Sequence, residues 1–169
     1  MWPFSIRRRA REKAFIREAF SRYMPQDLLE DLLTRPRRVA LEKRTIPFAL
    51  LQLRDDDSAA TVETLGRAID IAVDAQGMID IMPPFLLIAF GFPLEDTAEN
   101  LLNLRQRMIE NLLKNCGSDI RIVYGKADSL IGNIGSERRF TYGAAIPRLS
   151  TAMHRLVTLE FGTASEITV

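Results

Sequence analysis

Apolar side chains return at helical spacing from residue 15, where Phe15, Ile16, Ala19, Phe20 and Tyr23 form one stripe until Pro25 interrupts it. A second short helix is predicted over 26–33, followed by the polar connector "TRPRRVALEKR". Residues 46–54 are then dense enough in apolar side chains for a central strand, with Pro47 at its start. Asp57 or Ser58 can cap a helix reaching about residue 75, whose apolar face holds Val62, Leu65, Ala68, Ile69, Ile71 and Ala72, and Gly77 ends it. "MIDIM" and "FLLIAFGF" flank Pro83 and Pro84 and predict a hairpin. The clearest amphipathic helix spans 97–115, with Leu101, Leu104, Met108, Leu112 and Leu113 on one side and Gly117 beyond its end.

"DIRIVYGK", "SLIGNIG" and "RRFTYGAAI" predict three more strands, and a last helix runs from 147 or 148 to 159 or 160. The order is β-α-β-β-α-β with additions at both ends: an α+β, ferredoxin-like arrangement with helices on one sheet face. We divide the chain into an N-terminal helical extension with connector, 1–44, and a sheet domain, 45–169.

Composition narrows the function classes. At 169 residues the chain fits one domain that buries roughly two thirds of its unfolded surface. Its 23 Lys and Arg against 22 Asp and Glu give no bulk charge for binding nucleic acid. Cys116 is the only cysteine, so the chain forms no internal disulfide and no thiolate zinc cluster, which suits a cytoplasmic protein. No run approaches the ~20 apolar residues of a membrane span, and no signal peptide is evident. Arg7, Arg8, Arg9, Arg11 and Lys13 read as a solvated helix start, with contact to anionic lipid as the alternative.

Candidate chemistry is sparse. His154 is the only histidine, without a cysteine nearby or a nucleophile at recognised spacing. Gly125, Gly132 and Gly135 do not follow the order of a phosphate-cradling loop. Asp55, Asp56 and Asp57 offer oxygen ligands, but three consecutive acids splay around a turn, and a helix start explains them better.

Several separated segments nevertheless resemble the catalytic domain of class III adenylyl and guanylyl cyclases over roughly residues 15–163. "AFSRYMPQDLLEDLL" is similar to the helical lead-in of bacterial members, and "FGFPLEDTAENLL" to the segment entering the second long helix. "LIGNIGSERRFTYG" resembles the family's Gly-x-Ile-Gly hairpin, while "HRL" and "EFGT" resemble the final helix and its exit. The resemblance implies two aspartates, one on the first strand and one in the following hairpin, holding two divalent metals that drive attack of the ribose hydroxyl on the α-phosphate.

Alignment with that pattern puts Gln52 at the first aspartate and Pro83-Pro84 at the Gly-Asp of the hairpin, so Gln52 and Pro84 mark lost metal ligands. Asp80 lies in the hairpin's first strand, and Asp55 lies three residues beyond Gln52, about 10 Å along an extended chain; neither compensates. "MIDIM" has no counterpart of the purine-selecting lysine. The transition-state pair of the last helix reads as Ser150 with His154 or Thr151 with Arg155, leaving Arg155 as the one vestigial catalytic candidate.

The resemblance thus implies a catalytically deficient member that needs no cofactor and serves as a dimerisation or regulatory module in signalling, as a homodimer or paired with another cyclase-homology domain. Mg2+ or Mn2+ would enter only in an active form. One half of a heterodimeric cyclase, and a nucleotide sensor without turnover, are the rival expectations.

Overall fold

The computed structural model describes residues 14–15, 17–18, 26, 29–30, 34, 41–54, 59–91, 96–135 and 140–168. The two predicted lead-in helices lie mostly outside these residues; the ones described between 14 and 34 are helical. In chain order the sheet domain contains β1 (Glu42–Leu53), α1 (Ala59–Asp74), β2 (Met78–Met82), β3 (Phe85–Ala89), α2 (Ala98–Cys116), β4 (Ile120–Gly135), β5 (Phe140–Ala145), α3 (Leu149–Val157) and β6 (Ala164–Thr168). The sheet runs β2-β3-β1-β4-β5, with β6 also on β4. Its first four strands have the ferredoxin-like order expected of a βαββαβ chain.

Three features differ from the sequence reading. The polar residues before 46 belong to β1, and the two strands predicted between 119 and 135 are one. Both follow from the antiparallel β1–β4 pairing, which runs unbroken from Glu42 opposite Ile131 to Leu53 opposite Ile120. Polar residues sit in this ladder because they satisfy one another: Thr45 Oγ1 donates to Asp128 at 2.6 Å, and Lys43 lies 3.2 Å from the same carboxylate.

The second difference concerns the faces. Helices α1 and α2 pack on one face, where Ala68, Ala72, Met108, Ile109 and Leu112 meet Ala49, Leu51, Leu53, Leu86, Ile88 and Ile122. Helix α3 was expected with them but covers the opposite face, where Ala152 and Leu156 meet Phe48, Leu50, Val123 and Ala127. Strands alternate their side chains, so the apolar run of β1 is buried on both sides.

The third is β6, which no sequence pattern predicted. It pairs parallel with Ile122–Lys126 of β4. Gly125 permits this approach, since a Cβ there would stand 2.4 Å from the Ile167 carbonyl oxygen.

Helix ends follow local chemistry. Thr97 caps α2, its side chain accepting from the Asn100 N–H at 3.2 Å. At the end of α1 the left-handed residue is Gln76, with φ 61°, while the N–H groups of Gln76 and Gly77 donate to Val73 and Ala72. Gly77 is needed for closeness, because a Cβ there would lie 2.5 Å from Ile88 Cγ2.

Candidate functional site

Every second side chain of β1 faces α3, and after Phe48 and Leu50 the next is Gln52. Gln52 stands opposite Phe85 on β3 and opposite Arg121 on β4. The Pro84 carbonyl, in the turn just before β3, accepts from the N–H of Leu53, the residue after Gln52, at 3.0 Å. The two positions marked by the sequence therefore come near one another from different elements but offset by one residue, Gln52 facing Phe85 and Pro84 facing Leu53.

Gln52 does not present a free oxygen. Its Oε1 accepts from Arg121 Nε at 3.0 Å and from Nη2 at 2.7 Å. Arg121 Nη1 donates to the carbonyls of Val157, at 2.9 Å, and Leu159, at 2.7 Å, where α3 ends. Carbonyls at a helix C-terminus lack helical partners and carry the negative end of the dipole, so a cation there is stabilised. The guanidinium also lies over the Phe161 ring, 4.6 Å from its centroid, and Arg54 lies over the same ring at 4.5 Å. Both cations thus sit within about 9 Å of each other, inside one Debye length of ~10 Å.

These donors do not fit a divalent metal. Gln52 carries no charge, Pro84 has no ligating side chain, and the amide oxygen already serves a guanidinium. A divalent ion about 4 Å from that guanidinium would meet roughly 8 kcal/mol of repulsion at an effective dielectric constant near 20. Among the described residues no group of three or more His, Cys, Asp or Glu side chains is arranged to hold a metal. The acidic triplet Asp55–Asp57, with its capping role, lies outside the described residues. Asp80 is an exposed residue of β2, opposite Leu87.

On α3, Ser150, Thr151, His154 and Arg155 are all exposed, because Ala152 and Leu156 take the buried side. Beside the end of β1, Leu53, Arg54, Ala60, Thr61, Thr64 and Asp119 line a cleft of about 40 Å3. That is room for a water or so, not a nucleotide.

Arg121 was missed at the sequence level. The signal was present, since antiparallel pairing of "ALLQL" with "IRIVY" sets Gln and Arg opposite each other as the only polar pair between apolar segments.

No family model matches the sequence, and no curated protein matches it. Solved structures do. The adenylyl cyclase CyaB from P. aeruginosa superposes with a TM-score of 0.58 at 15% identity, over 76% of this chain and 79% of that one. A bacterial light-regulated adenylyl cyclase gives 0.63 at 11% identity, over 90% and 52%. The dimeric guanylyl cyclase domain of the RhoGC fusion protein from the aquatic fungus Blastocladiella emersonii gives 0.54 at 15%, over 76% and 81%. The α+β fold is that of class III cyclase catalytic domains.

Proposed function

We propose that this chain is a catalytically deficient cyclase-homology domain that acts as a dimerisation or regulatory module in signalling. The observation that carries this reading is the Gln52–Arg121 pair, which puts a neutral amide and a fixed cation where the resemblance calls for a metal-binding carboxylate. Without metals a triphosphate's charge goes unneutralised; losing one electrostatic contact of that kind typically costs ~3 to 4 kcal/mol of barrier. The surface for pairing lies on the α3 side of the hairpin, where Met82, Phe85 and Leu87 are only half-buried. A dimeric structural neighbour supports pairing as the mode of action. Among the described residues no helix is long and apolar enough to cross a membrane.

The test is cyclic nucleotide production by the purified chain from ATP and GTP with Mg2+ or Mn2+, with mass-spectrometric detection of product. The expected result is none above a protein-free control. Product formation that disappears in Arg155→Ala overturns the reading.

The exposed Arg155 favours a second reading, in which an intact cyclase supplies both metal acids and this chain supplies the arginine across a heterodimer interface. Co-expression with such a cyclase, comparing wild type and Arg155→Ala, separates the two.

A further inference from the structure

We infer that Arg121 is the resident cation of this site, a side chain that does within the fold what a bound metal ion would do by drawing oxygen ligands from several elements together. The inference rests on the reading of Gln52 as the replaced ligand. Three guanidinium nitrogens donate four hydrogen bonds, to Gln52 Oε1 on β1 and to the Val157 and Leu159 carbonyls at the end of α3. The face of the same group covers Phe161, in the turn leading to β6. All its acceptors are neutral oxygens, and among the described residues no carboxylate forms an ion pair with it. The positive charge is held by carbonyl dipoles, as a coordinated ion is held.

One side chain therefore fixes β1, the exit of α3 and the approach to β6 together, and the arrangement does not depend on any soluble cation.

Thermal unfolding of the full chain tests this. The wild-type midpoint should not move with millimolar Mg2+ or Mn2+. Arg121→Met should lower it by about 5 °C or more, and neither ion should restore it. Gln52→Asp should still bind no Mn2+ by electron paramagnetic resonance, because the new carboxylate pairs with Arg121. If Arg121→Met does not fold, Arg121→Lys keeps the charge without the fork and should also melt below wild type.

A wild-type midpoint in both Arg121 variants, a metal-induced rise in wild type, or Mn2+ bound by Gln52→Asp would overturn the inference. Cyclic nucleotide made by the wild type would instead overturn the proposed function, while the melting result decides the role of Arg121 separately.

Discussion

The two faces of the sheet share their strands yet are built to different ends. On one, Ala49, Leu51 and Leu53 of β1 are sealed under two helices of 16 and 19 residues. On the other, the alternate residues Phe48, Leu50 and Gln52 meet the nine-residue α3, and the hairpin beside it keeps apolar side chains half-open. Each face also holds an arginine. Arg105, on α2, is 5% exposed, donates to the Gly125 carbonyl at 2.7 Å, lies over Tyr124 and reaches Glu166 at 3.4 Å. Arg121 is more open and is held by neutral carbonyl oxygens. The closed face makes the fold stable, and the open face carries what distinguishes this chain.

The difference can be broken by measurement. Leu51→Ala should cost about 3 to 4 kcal/mol in urea unfolding, because two long helices cannot both collapse onto the cavity. Leu50→Ala should cost about 2 to 3 kcal/mol, since short α3 can shift inward. Equal losses would mean that the faces are equally rigid.

The arginines should diverge next. Arg105→Met should cost about 1 kcal/mol, as a hydrophobe of similar length replaces a buried charge but leaves the Gly125 carbonyl without its donor along with the 62%-exposed Glu166. Arg121→Met should be the worse of the two, since it leaves three oxygens without their donor. The reverse order in the same unfolding assay would remove the contrast drawn here.

The smallest effect belongs to Asp128. The hydrogen bond from Thr45, then Lys43, holds its carboxyl below the usual carboxylate range. A lowered folded pKa means that its contribution is complete above the ordinary carboxylate pKa and is lost as pH falls through the lowered value. Asp128→Asn should therefore melt slightly below wild type at neutral pH, with the gap closing in acid.

Much of the closed face was legible in the sequence. Its helices have long apolar stripes, and Thr97, Gly77 and Gly117 mark their ends. The open face was not, for physical reasons. The stripe of α3 shows that it packs, not on which side of the sheet. The five residues of β6 carry too little pattern to be a strand until β4 supplies an edge. Gln52 and Pro84 could be marked as departures from a resembled motif, but the partner of Gln52 lies 69 residues away and needs the strand register to find it.

The length of β1 sets its two ends far apart. The strand enters the sheet at Glu42 opposite Ile131, whereas Gln52 lies ten residues on, about 34 Å at 3.4 Å per residue. β6 runs parallel to β4 and ends with Thr168 beside Lys126, which faces Pro47, midway between Glu42 and Gln52. The entry of β1 stands at one pole of the sheet and the guanidinium near the other, with the end of β6 between them. The strand is thus a rigid spacer about three nanometres long between its own entry and the guanidinium.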